Sequence, residues 1–245
     1  MKKIKVIILL LSCVGAKAQI ADLYTFFGLG ESYYLGDLNK NAFPSSETLH
    51  LSYKGGVGFN VLPKIGVALH LTKSSLNGSD FFGDVDGING RGLSFVTPLT
   101  DFGINVKFRN SFGKQGQYLA YLFTGVNRFL FNPTVTKDPD SNINYIPEKG
   151  FKKGGVNLPF GFGLGYTFTG NIGLVWESAL HVTYTDYIDG ISKNGNPNYR
   201  DAFVDSHLIL VFRFSEWEGG GKKSQKRSKA WSPNKVGEIA CPRSW

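Results

Sequence analysis

The stretch Leu158-Pro159-Phe160-Gly161-Phe162-Gly163-Leu164-Gly165-Tyr166-Thr167-Phe168 constrains the chain more than any other. Every even position is large and apolar or aromatic, and every odd one is Pro, Gly or Thr. Only an extended strand separates neighbours onto opposite faces in this way. The strand then has one greasy face and one nearly bare face. Three more segments repeat the alternation. Ile172, Leu174, Trp176, Leu180, Val182 and Tyr184 alternate with Gly173, Glu177, Ala179, His181 and Thr183. Ile65, Val67, Leu69 and Leu71 alternate with Gly66, Ala68, His70 and Thr72. Phe102, Ile104, Val106 and Phe108 alternate with Gly103, Asn105, Lys107 and Arg109. In a soluble sandwich the second face would carry a solvated polar surface. Here it is small and glycine-rich with scattered charges, as inside a narrow closed barrel, and the apolar face suits lipid.

Helical periodicity is scarce, and no apolar run is long enough for a spanning helix. Eight strands are expected, over 22–36, 47–62, 64–74, 92–110, 117–131, 157–169, 172–185 and 203–214. Connections near 63, 111–116 and 170–171 are short. Those at 37–46, 75–91, 132–156 and 186–202 are long and polar. This pattern predicts an all-β fold: an eight-stranded antiparallel transmembrane barrel of the outer membrane, with short turns and both termini in the periplasm. Closure removes the unpaired edges that lipid could not satisfy. The last strand ends Leu210-Val211-Phe212-Arg213-Phe214, with the terminal aromatic that barrel-assembly machinery usually reads. A barrel of this size is filled by its own side chains. Glu177, His181, His70, His207, Lys107 and Arg109 are therefore expected to form an internal polar network rather than line a pore.

Three regions follow. Residues 1–18 read as a signal peptide, with Lys2, Lys3 and Lys5 before the apolar run Val6–Val14 and a cleavage site at Ala16-Lys17-Ala18. Leu10-Leu11-Ser12-Cys13 also resembles a lipoprotein processing site. Residues 19–214 form the barrel, and 215–245 a flexible basic tail. Cleavage removes four lysines and lowers the net charge from +8 to +4. The tail carries seven Lys or Arg and three Glu, so it holds all of that charge and the barrel is close to neutral.

Several stretches together resemble the PorG-type outer-membrane proteins of the Bacteroidota type IX secretion system, which in gliding members also serves motility. They are Tyr33-Tyr34-Leu35-Gly36-Asp37-Leu38-Asn39, Tyr121-Leu122-Phe123-Thr124-Gly125-Val126, Phe129-Leu130-Phe131-Asn132-Pro133, the strand 158–166, and Thr183-Tyr184-Thr185-Asp186-Tyr187-Ile188-Asp189-Gly190-Ile191-Ser192. The pattern departs at Gly190, where a second acid is expected. The resemblance implies a non-enzymatic part that anchors a periplasmic ring, built from proteins of the PorK and PorN type, to the outer membrane.

The tail supplies candidate contacts. Lys222, Lys223, Lys226, Arg227 and Lys229 form a basic run, with Arg243 near the end. They suit a protein ring or the anionic inner surface of the outer membrane, whereas an exported chain has no call on nucleic acid. Trp231 and Trp245 are possible aromatic anchors. Cys241 is the sole cysteine once the signal is removed, so an intermolecular disulfide and an idle thiol both remain open.

No cofactor or metal site is expected. Asp138-Pro139-Asp140-Ser141-Asn142 begins like a calcium loop, but Ile143 stands where glycine is needed and Lys149 where glutamate is needed. The four histidines have no metal-ligand spacing. A lipid-modifying barrel enzyme would need Ser and His together on the lipid-facing wall. By parity Ser178 and Ser206 face lipid while His181 and His207 face inward. An adhesin or envelope-stability barrel is the remaining alternative, with Asp80-Phe81-Phe82 and Tyr145-Ile146-Pro147 as candidate loop contacts.

Overall fold

In the computed structural model, residues 22–36, 49–79, 92–113, 116–137, 139, 150–168, 171–191 and 200–214 are described. The described elements are strands: β1 (Asp22–Leu35), β2 (His50–Leu62), β3 (Ile65–Ser79), β4 (Leu93–Phe112), β5 (Tyr118–Phe131), β6 (Thr134–Lys137), β7 (Gly154–Thr167), β8 (Ile172–Thr183) and β9 (Ala202–Arg213). Each long strand pairs antiparallel with its neighbours in sequence, β1 pairs with β9, and β3 with β4. The result is a closed barrel of eight long strands, with no open edge.

The four-residue β6 was expected to be loop. Asn132-Pro133 reads as the end of a strand because proline has no amide to give to a ladder. The ladder nevertheless resumes. Leu99 pairs with Phe131, Asn132 N donates to Pro98 O at 3.3 Å, and Val96 pairs with Thr134 in the same register. So β6 continues β5 past one missing donor, and the barrel still counts eight staves. Likewise β3 runs to Ser79 instead of ending at 74, and β7 starts at Gly154 instead of 157. Ser75, Asn77, Gly78 and Ser79 around Leu76 hid the first extension, and Gly154-Gly155 the second.

Side chains alternate in and out as parity requires. Phe160, Phe162, Leu164, Ile104, Leu122 and Leu208 are exposed on the outside. Charged residues instead fill the interior: Lys54, Asp101, Glu177, Asp205 and His207 are buried. This inverted polarity belongs to a protein that meets lipid on its outer wall.

Bare glycine faces have a packing reason. A Cβ on Gly163 would lie 2.2 Å from Tyr121 Cζ, and one on Gly161 would lie 2.4 Å from Phe123 Cζ. Gly58 and Gly56 make the same room for Tyr24 and Phe26. Each glycine strand lets the adjacent strand lay large rings across the bore. The interior is therefore layered. Tyr24, Phe26, Leu119, Tyr121, Phe123, Val175 and Ile209 fill the end nearest the short turns. Polar groups occupy the middle. A second apolar cluster, including Tyr34, Leu76, Phe95, Phe129, Ile188 and Phe203, closes the end where the long connections emerge.

Candidate functional site

The middle of the bore holds one continuous polar cluster. Glu177 is its hub: Oε1 lies 2.7 Å from Lys54 Nζ, and Oε2 lies 2.8 Å from Lys107 Nζ. Tyr121 OH also donates to Oε2, at 2.5 Å. Lys54 continues to Asp205 at 3.8 Å, which His181 Nε2 approaches at 3.2 Å and His207 Nδ1 at 3.7 Å. His181 Nδ1 meets Asn157 Oδ1 at 3.0 Å. Asn157 and Asn127 each donate to Asp101 at 2.7 Å, and His70 stands 3.5 Å from it. Ring faces complete the lysine surroundings, with Lys107 Nζ 4.6 Å from the Tyr121 centroid and 5.3 Å from that of Phe26.

Of the six expected network members, Glu177, His181, His70, His207 and Lys107 meet here. Arg109 instead lines a recess of about 40 Å³ at the short-turn end, beside Lys107 and Arg213. Sequence reasoning missed Lys54, Asp101, Asp205, Asn127, Asn157 and Tyr121. Parity would have found them, since Lys54 shares the inward face of β2 with Gly56 and Gly58, and Asp205 that of β9 with His207.

One constellation resembles a hydrolase triad. Ser52 Oγ lies 2.8 Å from His207 Nε2, and His207 Nδ1 faces Asp205. The second contact is longer than a hydrogen bond. All three groups are fully buried between the two apolar layers, so the serine is a packed hydrogen-bonding partner rather than a reachable nucleophile. On the lipid wall, Ser178 donates to Asp205 O at 3.1 Å and Ser206 accepts from Trp176 Nε1 at 2.8 Å. Neither stands beside a histidine. Among the described residues no group of His, Cys, Asp and Glu could hold a metal ion.

The second feature is the cap over the long-loop end. After β8 the chain folds back across the bore and buries Ile188 and Ile191 among Phe95, Phe129 and Phe203. Thr97 Oγ1 donates to Ile188 O at 2.6 Å, and Ile188 N donates to Asp201 Oδ2 at 2.7 Å. Asp189 Oδ1 accepts from Ile191 N at 2.8 Å. Tyr34 OH touches both carboxylates, Asp201 and, at 3.1 Å, Asp189. One hydroxyl has one proton, so both contacts are hydrogen bonds only when a carboxyl holds a proton. Burial and the neighbouring Asp201 push the Asp189 carboxyl up to about 8. Gly190 turns with φ +81°, and a Cβ there would meet Val135 at 2.8 Å. Phe131, Phe151 and Tyr187 stack at the rim, the last two 4.9 Å apart and nearly parallel.

The cap gathers residues from motifs far apart in the sequence: Tyr34 and Gly36, Phe129 to Pro133, and Tyr187 to Ile191. The tail candidates Lys222, Lys223, Lys226, Arg227, Lys229, Trp231, Cys241, Arg243 and Trp245 lie outside the described residues. So do the signal segment, Asp80-Phe81-Phe82 and Tyr145-Ile146-Pro147.

The model for a domain of unknown function, DUF6089, matches residues 1–213, and the chain belongs to that family. No curated protein matches the sequence. Among solved structures, the chain is similar to Ail, the attachment invasion locus protein of Yersinia pestis. Identity is 10%, with 79% of this chain and 99% of that one covered and a TM-score of 0.47. It is similar to Neisserial surface protein A at 12% identity, with 78% and 97% covered and a TM-score of 0.45. The N-terminal β-barrel domain of Pseudomonas aeruginosa OprF gives 15%, 79% and 98%, and 0.43.

Proposed function

Taking the chain as a DUF6089 barrel, we propose that it is a non-enzymatic outer-membrane component of a type IX secretion system, anchoring a periplasmic PorK/PorN-type ring. The observation that carries the reading is the sealed bore. Two apolar layers and a neutralising ion cluster leave the interior to packing rather than transport, so function falls to the rims and the tail. Phe214 N donates to Leu23 O at 2.9 Å, so the tail leaves the barrel at the short-turn rim. In an outer-membrane barrel that rim faces the periplasm. Arg109 and Arg213 line the recess at that rim. Three of the motifs that carry the PorG resemblance, those holding Tyr34, Phe129 with Phe131, and Ile188 with Ile191, contribute to the apolar cap at the opposite rim.

Cys241 and the two tail tryptophans are assigned to the ring contact, with Cys241 as a covalent lock at the tip. Thiol-blocked protein from native membranes should run as a larger species that collapses on reduction and contains a ring protein. Cys241→Ser should remove that species while the barrel stays folded. A monomer under both conditions ends the covalent lock. Full secretion and ring assembly in a chain that stops at Phe214 would end the anchoring reading itself. A second reading, surface binding at the long-loop rim, draws on the partly buried Phe151–Tyr187 stack. Deleting the long loops should abolish adhesion if that reading holds, and leave secretion intact if anchoring does.

A further inference from the structure

The lipid-facing wall is almost free of charge. Among the described strand residues, the only outward-facing charged side chains are Glu31, Lys73 and Arg128. Lys73 and Arg128 share one side of the barrel. Register places Lys73 beside Thr100 of β4, and Arg128 beside Phe102 of the same strand. They are thus two strands apart and offset by two residues in register, about 12 Å between Cα atoms, and no carboxylate faces outward from β3, β4, β5 or β7 among the described residues.

Their height is informative. Lys73 stands eight residues along from Ile65, and Arg128 ten along from Tyr118. A strand tilted by about 40° climbs ~2.5 Å per residue, so they sit ~20 and ~25 Å above the short-turn edge. An apolar band is about 25 Å tall, so both cations stand at its far border. Arg128 leans further that way: its Nη2 lies 3.6 Å from where a Cβ on Gly154 would be, and Gly154 is two residues nearer the rim than Val156, its own partner. This is the snorkelling posture of a cation reaching for the headgroup layer.

Below the guanidinium the wall is hollow. Arg128 lines a depression of about 470 Å³ together with Leu69, Phe102, Ile104, Val126 and Val156. An apolar groove topped by two cations matches a lipid with acyl chains below and a phosphorylated head above. An arginine at such a border forms bidentate bonds to phosphate, and a lysine within reach adds a second point charge.

We propose that this face is a binding site for the bis-phosphorylated lipid A of lipopolysaccharide, with acyl chains along the Leu69–Val126 depression and phosphates on Arg128 and Lys73. The site rests on the outer-membrane reading, in which the long-loop rim faces outward and its leaflet carries that lipid.

Native mass spectrometry of the full, delipidated chain tests it with bis-phosphoryl lipid A, dephosphorylated lipid A and phosphatidylethanolamine. The wild type should prefer the bis-phosphoryl form by about tenfold or more. The double variant Lys73→Gln/Arg128→Gln should lose that preference, and Lys64→Gln, at a short turn, should keep it. Equal binding of both lipid A forms by the wild type, or an undiminished preference in the double variant, would overturn the site. Orientation is read separately, by labelling Ser141→Cys in whole cells in a Cys241→Ser background with a membrane-impermeant maleimide. Labelling without selective binding overturns the lipid site alone. Selective binding without labelling overturns the orientation, and with it the assignment to lipid A.

Discussion

Asp189 shows what a single buried carboxyl does to the cap. Its proton is held because burial and the neighbouring Asp201 disfavour a second negative charge, with Asp186 also nearby and the Ile191 amide and the Tyr34 contact working against the trend. The ordinary value is 3.8, and here it is about 8. The folded cap therefore binds more protons than an open one between these values. Its stability is full below about pH 4 and is lost as pH rises through about 8. Hydrogen exchange at the Ile188 and Ile191 amides, corrected for intrinsic rates, should lose protection by about tenfold or more from pH 5 to pH 9. Asp189→Asn offers the same acceptor to Ile191 and a fixed donor to Tyr34, so its profile should be flat. An unchanged slope in that variant would place the titration elsewhere.

At the scale of strands, the barrel is built by pairing bare faces with bulky ones. β7 gives Gly161 and Gly163 to the Phe123 and Tyr121 rings of β5, and β2 gives Gly56 and Gly58 to Phe26 and Tyr24 of β1. Gly163→Ala should cost about 1–3 kcal/mol through overpacking, read as a lower midpoint in urea. Tyr121→Leu would relieve the clash, and the double-variant cycle should show coupling of about 0.5–3 kcal/mol. Additive costs would mean that the ring does not depend on the bare strand. The same logic explains why these strands were legible. Alternation of period two is local, so Leu158 to Phe168 announces both its faces without reference to any partner. β6 was not legible, because Asn132-Pro133 breaks the donor pattern locally while the partner strand β4 holds the register.

On the scale of the whole molecule, formal charge is unevenly spread: residues 19–214 balance to zero, and 215–245 carry +4. Among the described residues, the hydrogen-bonded closure runs from Asp22 to Phe214. A chain ending at Phe214 should therefore keep a folded barrel, seen as unchanged gel mobility without heating, and lose only the proposed ring association. A truncated barrel that no longer folds would tie the tail to the fold instead. Sequence by itself determined the strand count, the closed antiparallel class, the two faces of each stave and five members of the interior cluster. The faces and the cluster members follow from parity along one strand, and the count and closure from the alternation of short and long connections. Only the tertiary structure decided that Lys54 and Lys107 share Glu177, that Ser52 meets His207 in a sealed place, and that Tyr34, Asp189 and Asp201 lock a cap. Those meetings join residues up to 167 positions apart. The shear of the closed sheet brings them level, and shear is a property of all eight strands together.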